Sequence, residues 1–285
     1  MTVDSHHHVW DPAARDYEWL RSAPQGLQRR FDIGEYLGAS ASSGVSGSVL
    51  VQALNSAEET TDLLAVASGN STVTGVVGWA DLTGPDVGAQ LSALKSAPGG
   101  QYLVGIRHLV HDEADPLWLQ RPDVIRGLGE VAKAGLVYDL LVRPRELPAA
   151  LVAVDAVPAG RFVLDHGGKP EMASGRTEPW AELVGQLAKH PNVACKFSGL
   201  VTEAGSGWSE ESIAPYAAYL IEHFGPGRLL FGSDWPVCTL AATYEEVYEL
   251  ALALLDRQLT PGEKQRVMAA NATELYRLPM MTVPR

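Results

Sequence analysis

Gly47-Ser-Val-Leu-Val-Gln-Ala53 is a short and almost continuous run of apolar residues. Arg161-Phe-Val-Leu-Asp165 repeats this pattern later in the chain. Strands that are buried on both faces of a parallel sheet have such unbroken apolar runs, because neither face meets water. The two stretches therefore predict a parallel sheet that is covered by helices.

Eight segments of this kind recur along the chain, with starts that are roughly 25 to 45 residues apart. Between them lie stretches long enough for a helix, which gives the strand-helix alternation of α/β proteins. The predicted strands are Thr2–Val9, Ser48–Ala53, Thr74–Trp79, Tyr102–Leu109, Leu136–Val142, Arg161–Leu164, Val193–Phe197 and Arg228–Phe231.

Helix-start signals mark several of the intervening stretches. Asn55 followed by Glu58 predicts a capped helix start, and Thr243 followed by Glu246 repeats the pattern. Thr260–Glu263 adds a proline at the first helical position. Amphipathic patterns predict further helices over residues 120–134, 145–157, 178–190 and 209–224.

The number of units favours a closed barrel. Eight strand-helix units of roughly 30 residues occupy about 250 residues, the usual size of a (β/α)8 barrel. A doubly wound open sheet has the same alternation, but no Gly-x-Gly-x-x-Gly turn follows the first strand here. No Pro-, Gly- or Ser-rich linker divides the chain. We therefore predict an α/β fold, a single TIM barrel domain over residues 1–285, with Asp11–Ser43 as a long loop containing some helix.

The composition excludes several classes of protein. The chain has 285 residues, with 22 basic and 34 acidic side chains and a formal charge of −12. This charge argues against a nucleic-acid partner, because such proteins neutralise phosphates with Lys and Arg. Two cysteines suit a reducing compartment, and no apolar run approaches the roughly 20 residues that span a bilayer. We expect a cytoplasmic protein with a small-molecule partner, and its oligomeric state stays open.

Polar residues collect at the carboxyl ends of the strands, where parallel barrels place their active sites. The first strand ends in Asp4-Ser-His-His-His-Val-Trp10. Because successive strand residues alternate faces, His6 and His8 share one face and His7 lies on the other. Two imidazoles at this spacing can hold one divalent cation. The alternative, a remnant of a histidine tag, fits less well because these histidines are embedded between Asp-Ser and an apolar run.

Two further candidates follow later strands. Asp234 comes just after the eighth strand, and barrel closure brings that strand beside the first. We therefore expect Asp234 near His6 and His8, with a helix cap or loop carboxylate as the alternative. His166 follows the sixth strand, where a structural histidine is the alternative.

Other side chains near strand ends are candidates for substrate binding. For the cations the alternative is a structural ion pair with Asp165 or Asp139, and for the tryptophans it is core packing. The candidates are Gln52, Trp79, Arg107, His108, Tyr138, Lys196 and Trp235, together with Trp10 for stacking on a sugar ring.

The ordered motifs resemble the amidohydrolase superfamily, in the amidohydrolase-related branch that contains sugar-acid lactonases. Within it the chain is most similar to the L-fucono-lactonase and L-rhamnono-lactonase group, and it also shares the pattern of 2-pyrone-4,6-dicarboxylate lactonase. The motifs are Asp4–Trp10, Val49–Ala53, Gly78–Leu82, Gly105–His108, Val137–Leu141, Val163–Pro170, Cys195–Glu203 and Leu229–Cys238.

The resemblance implies a hydrolase that opens a lactone ring. It implies that Asp234 is the general base that activates water, and that the histidines and this aspartate bind any metal ion. The implied catalytic and metal-binding residues are His6, His8, His166 and Asp234.

The sequence departs from the binuclear members of the superfamily. Those have a bridging lysine or glutamate at the fourth strand and a histidine at the fifth, whereas this chain has Arg107-His108 and Tyr138-Asp139 there. Two alternatives therefore stay open, one divalent ion such as zinc and a metal-independent site.

The expected substrate is L-fucono-lactone or a related aldonolactone, hydrolysed in carbohydrate catabolism. The alternatives are a pyrone-dicarboxylate-type lactonase, a non-oxidative decarboxylase of an aromatic or muconate-like acid, and a non-catalytic carbohydrate-binding barrel. The residues do not indicate the ring size of the lactone.

Overall fold

The computed structural model describes residues 1–279 and contains one sheet of eight parallel strands in sequence order. Each strand pairs with the next one along the chain, as the (β/α)8 prediction requires. All eight predicted strands are confirmed, with ends that differ by a few residues. The strands are β1 (Thr2–His7), β2 (Val45–Val51), β3 (Val73–Gly78), β4 (Leu103–His108), β5 (Val137–Leu140), β6 (Arg161–Leu164), β7 (Val193–Phe197) and β8 (Leu229–Phe231).

Helices surround the sheet. Among residues 1–279, no helix is long and apolar enough to cross a membrane. The α-helices are α1 (Ile33–Ser40), α2 (Ala57–Ser68), α3 (Val87–Ser96), α4 (Pro122–Lys133), α5 (Leu147–Ala156), α6 (Trp180–Leu187), α7 (Leu200–Ala204), α8 (Glu210–Phe224), α9 (Tyr244–Asp256), α10 (Pro261–Gln265) and α11 (Asn271–Tyr276).

The helix caps test the predicted helix starts. Thr243 and Thr260 each form a reciprocal capping box, at the start of α9 and α10 respectively. The predicted cap at Asn55 is wrong, because the side chain of Ser56 accepts the hydrogen bond from Glu59 N instead. The Oδ1 atom of Asn55 accepts from Leu109 N at 3.0 Å and so links two loops at the mouth of the barrel.

Two apolar layers position the site. One lies between the sheet and the helices, and the other fills the barrel interior with valines such as Val49, Val77 and Val163. The C-terminal segment closes the amino end of the barrel, because Ala272 and Tyr276 of α11 pack into this interior layer. Apolar packing thus occupies one end of the barrel, and buried polar side chains collect at the other.

The seam between β1 and β8 differs from the other strand contacts. Within residues 1–279, no continuous ladder joins these strands, and a single bridge pairs His7 with Trp235. Two backbone bonds hold the carboxyl end of the seam: His8 N donates to Trp235 O at 2.7 Å and Asp234 N donates to His6 O at 2.8 Å. The seam therefore brings the histidines of β1 against Asp234.

Candidate active site

A cavity of about 320 Å³ opens at the carboxyl ends of the strands. Four predicted site residues line it: His8, Arg107, His166 and Asp234. Its position is where (β/α)8 enzymes carry out their chemistry.

Three imidazoles surround one oxygen of Asp234. The Oδ1 atom lies 3.8 Å from His6 Nε2, 3.6 Å from His8 Nε2 and 3.8 Å from His166 Nε2. The Nε2 atoms of His6 and His8 are only 3.0 Å apart. All four side chains are buried. The structure therefore brings together the four residues that were predicted to be catalytic.

Unusual backbone conformations aim two of these side chains. His166 has φ 53° and Asp234 has φ 58°, so both lie in the left-handed region that residues with a Cβ rarely adopt. Such strain costs free energy and is concentrated at functional sites, where the surrounding structure maintains it. His166 lies two residues after the end of β6 and Asp234 lies three residues after the end of β8, and both side chains line the cavity at the barrel mouth.

A hydrogen bond determines which nitrogen of His8 carries the lone pair. His8 Nδ1 lies 2.7 Å from the carbonyl oxygen of Val51, which only accepts, so Nδ1 carries the proton and Nε2 carries the lone pair. His6 has a cationic donor at each ring nitrogen, Arg107 Nη1 at 3.2 Å from Nε2 and Lys196 Nζ at 3.0 Å from Nδ1, so these contacts do not select one tautomer of His6. The lone pair of His8 Nε2 consequently faces His6 Nε2 beside the Asp234 carboxylate.

This arrangement suits a cation. The His6, His8 and Asp234 ligand atoms lie within 4.8 Å of one another, as do those of His6, Asp165 and His166. Ligand atoms around a tetrahedral zinc ion are separated by about 3.3 Å, as follows from Zn–N distances of about 2.0 to 2.1 Å. The residues present therefore fit one ion such as zinc, held by His6, His8 and Asp234 with His166 beside them.

The protonation states agree with this fit. Burial lowers the pKa of His6 and His8 and lowers that of His166 to about 4, so all three imidazoles are neutral near pH 7. Burial opposes ionisation of Asp234, but its polar surroundings, which include the Lys169 cation, hold the pKa of this carboxyl below its usual range. A neutral histidine and an ionised carboxylate are the forms that bind metal ions.

A buried ion network lies beneath the imidazoles. Lys196 Nζ is 2.5 Å from Asp139 and 2.9 Å from Asp165, and Arg107 Nη1 is 3.0 Å from Asp165. Tyr276 Oη donates to Asp139 from the opposite end of the barrel at 2.8 Å. For Lys196 this matches the alternative interpretation, a structural ion pair. Arg107 belongs to the network and also lines the cavity.

Three other candidates lie beside the cavity and do not line it. Trp79 donates to His108 Nδ1 at 3.0 Å, and the His108 ring stacks on Trp118 with centroids 4.1 Å apart. Gln52 donates to the carbonyl oxygen of Arg107 at 3.1 Å. These bonds connect β2, β3 and β4 at the rim and occupy polar atoms that were predicted to contact a ligand.

Two candidates face away from the cavity, and His7 lies on that side as well. Tyr138 belongs to the layer between sheet and helices, where it packs edge-on against Phe162. Trp235 is buried against Phe31 and Tyr36. His7 stacks on Tyr36 with ring centroids 3.7 Å apart and bonds Ser48. Strand alternation directs His7 outward, as predicted.

Besides Trp10, the cavity wall contains residues that the sequence analysis did not select. Trp10 and Trp19 form an aromatic corner with centroids 5.1 Å apart, and Trp19 Nε1 donates to Ala53 O at 2.9 Å. Arg143 and Lys169 add positive charge on the wall. Both follow a strand, so the position rule that selected Arg107 would have found them. Trp19 lies within the long loop after β1, where no periodic signal indicates the direction of a side chain.

Comparisons with known proteins agree with this geometry. The sequence profile of the amidohydrolase family matches residues 3–278. An L-fucono-1,5-lactonase of Burkholderia ambifaria is 39% identical over 97% of this chain and 95% of its own length. An L-rhamnono-gamma-lactonase of Scheffersomyces stipitis is 23% identical over 66% of this chain and 63% of its own. A crystal structure of an amidohydrolase from Burkholderia multivorans with bound zinc has a TM-score of 0.90 and 34% identity, and the match covers 98% of this chain and all of that one.

Proposed function

This chain belongs to the amidohydrolase family, and from that premise we propose that it hydrolyses a sugar-acid lactone, with L-fucono-lactone or a related aldonolactone as substrate. The observation that carries the proposal is the convergence of three neutral imidazoles on the Asp234 carboxylate inside a cavity with an aromatic corner. The lactonase names of relatives that match most of the chain support the choice of substrate class.

Asp234 acts as the general base in this proposal. Its carboxylate takes a proton from water as the water oxygen attacks the lactone carbonyl carbon. The bond between that carbon and the ring oxygen then breaks, and Asp234 returns the proton to the departing alkoxide. Asp234 is ionised again once it has protonated the alkoxide, and the product is the open hydroxy acid, which loses its carboxylic proton to solvent.

The carbonyl oxygen gains negative charge during attack and needs a positive partner. Arg107 provides one, because its guanidinium lines the cavity and its geometry is held by Asp165. A zinc ion bound by His6, His8 and Asp234 would supply Lewis acidity and lower the pKa of water. The His8–Val51 bond keeps the lone pair of His8 directed at this position.

The remaining cavity wall provides contacts to a sugar. Trp10 and Trp19 present aromatic surface to the apolar face of a sugar ring. Arg143, Lys169 and Asp112 lie on the wall as well and can bond hydroxyl groups. A site with apolar and polar sides orients a small polyhydroxy ring.

A pH-indicator assay over a panel of aldonolactones, with and without chelator, tests this function. We expect acid release from at least one six- or five-membered aldonolactone at a rate above spontaneous opening. Release of carbon dioxide from an aromatic acid, with no aldonolactone opened, would overturn the proposal in favour of a decarboxylase. Opening of a pyrone dicarboxylate alone would overturn the sugar-acid assignment.

A further inference from the structure

Asp4 is a fully buried carboxylate two residues before His6, and the mechanism above gives it no role. Its Oδ1 atom accepts from His6 N at 3.1 Å and from Ser233 N at 2.9 Å. Its Oδ2 atom accepts from the hydroxyls of Ser233, Tyr36 and Tyr244 at 2.6, 3.1 and 3.1 Å. One side chain thus collects five hydrogen bonds, and Asp4 forms no ion pair within residues 1–279 that would explain its charge.

The Oδ1 atom joins two backbone positions that matter for the site. His6 carries one of the imidazoles, and Ser233 immediately precedes Asp234. These residues belong to opposite sides of the seam, where no continuous ladder connects β1 and β8 among the described residues. The carboxylate of Asp4 therefore replaces part of the missing strand pairing with a side-chain clamp.

The same clamp supports the strained backbone of Asp234. The hydroxyl of Ser233 donates to Asp4 and also accepts from Trp235 N at 3.1 Å. Asp234, with φ 58°, is thus held between two residues that are tied to one buried anchor. A non-glycine residue keeps a left-handed conformation only where its neighbours enforce it.

We propose that Asp4 is the positioning residue of this site: its carboxylate clamps His6 and Ser233 and thereby sets the distance from the imidazoles to the Asp234 carboxylate. Asp4 does not line the cavity, so it acts through Ser233 and His6 and not on the substrate. The inference rests on the proposed function, in which Asp234 is the general base. Displacement of a catalytic group by about 1 Å can reduce turnover about 100-fold.

Four variants separate positioning from general stability. Asp4→Ala removes the clamp. Asp4→Asn is the conservative variant, because its amide oxygen still accepts from both backbone N–H groups and its NH2 group can donate to two of the three hydroxyls. Tyr244→Phe removes one bond to Oδ2 and leaves both backbone bonds. Asn271→Ala is the stability control, because Asn271 bonds Leu229 O and Pro226 O at the other end of β8.

The measurements are kcat and KM for the lactone that the panel identifies, together with Tm. We expect Asp4→Ala to lower kcat about 100-fold with little change in KM, and Asp4→Asn and Tyr244→Phe to stay near wild type. Asn271→Ala should lower Tm and keep kcat. The proposal is overturned if Asp4→Ala and Asn271→Ala lose kcat equally at matched Tm, or if Asp4→Asn is as impaired as Asp4→Ala.

A replacement variant and a zinc-binding assay complete the test. If Asp4→Ala does not fold, Asp4→Leu, which has the same number of heavy atoms as Asp but no acceptor, replaces it, and wild-type kcat in that variant would overturn the proposal. The affinity for zinc, measured by competition with a chromogenic chelator, needs no substrate. It therefore still tests the clamp if no lactone is opened and the proposed function fails. We expect Asp4→Ala to bind zinc about 10-fold or more weakly than Asn271→Ala, and equal affinities would contradict the clamp.

Discussion

The ammonium group of Lys196 lies 2.9 Å from Oδ1 of Asp165, and both side chains are fully buried. With Asp139 and Arg107 they form a set of two cations and two carboxylates whose formal charges cancel. His6 Nδ1 is 3.0 Å from the same ammonium, so the network lies directly against the imidazole cluster. Taking charges out of water is costly, and removal of one partner leaves the others uncompensated.

Replacement Lys196→Met should therefore destabilise the protein by about 3 to 5 kcal/mol, measured as the free energy of unfolding in urea. Lys133→Met is the matched control, because Lys133 pairs with Glu130 on the surface and its loss should cost less than about 0.5 kcal/mol. A similar small effect in both variants would show that the buried network does not stabilise the folded protein.

Replacement Asp234→Asn should lower kcat by about 10² to 10⁴-fold, because an amide cannot take the proton of the attacking water. The backbone bond from Asp234 N to His6 O is retained, so Tm should change little. Asp86→Asn, an exposed aspartate at the start of α3, is the control and should keep wild-type turnover. Full activity of Asp234→Asn would eliminate it as the general base.

The two neighbouring histidines of β1 offer a matched pair for the metal site. His8→Ala should lower both bound zinc and turnover, because the lone pair of His8 points at the Asp234 carboxylate. His7→Phe should retain both, because His7 stacks on Tyr36 on the outer face of the barrel. Zinc content by elemental analysis and turnover before and after chelator treatment provide the measurement. Equal zinc loss in both variants would contradict the assignment.

Glu59 predicts a pH dependence of stability. Burial raises the pKa of its carboxyl from 4.5 to about 7, although the N–H groups of Ala53 and Leu54 bond it. Between these values the unfolded chain is ionised and the folded chain is protonated, so stability is lost as the pH rises from 4.5 through 7. Glu59→Gln lacks this loss. Its free energy of unfolding should rise relative to that of wild type by on the order of 2 kcal/mol between pH 5 and pH 8.

Urea unfolding at several pH values measures this gain. Glu58→Gln is the control, because the side chain of Glu58 is exposed on the same helix and its unfolding free energy should follow wild type across the range. If Glu59→Gln also ran parallel to wild type, the raised pKa of Glu59 would be refuted.

The strands and the central cluster were predictable because they follow from regular patterns. Unbroken apolar runs indicated eight buried strands, and barrel closure predicted that Asp234 lies near His6 and His8. Strand alternation, applied consistently, would also have selected Asp139 over Tyr138. Asp139 pairs in register with Arg107, whose side chain faces inward, while Tyr138 packs outward against Phe162.

Loops and local competition limit such predictions. Asn55 and Ser56 are both good capping residues, and the choice depended on a bond from Leu109 N that comes from a distant loop. The direction of Trp19 depends on its bond to Ala53 O, across 34 positions of the chain. Contacts of this kind have no periodic signal, so the part of the cavity wall that the long loop after β1 supplies required the three-dimensional structure.

The seam has a consequence for the order in which the molecule is built. Asp4 and Ser233 are 229 positions apart, so the clamp joins nearly the whole length of the chain. During synthesis, the histidines of the first strand leave the ribosome long before the aspartate that completes their cluster exists. Closing so long a loop is slow, because chain entropy is lost before any contact is gained. The proposed site is therefore complete only once the last strand has docked, and we expect a chain that is truncated before β8 to have no turnover.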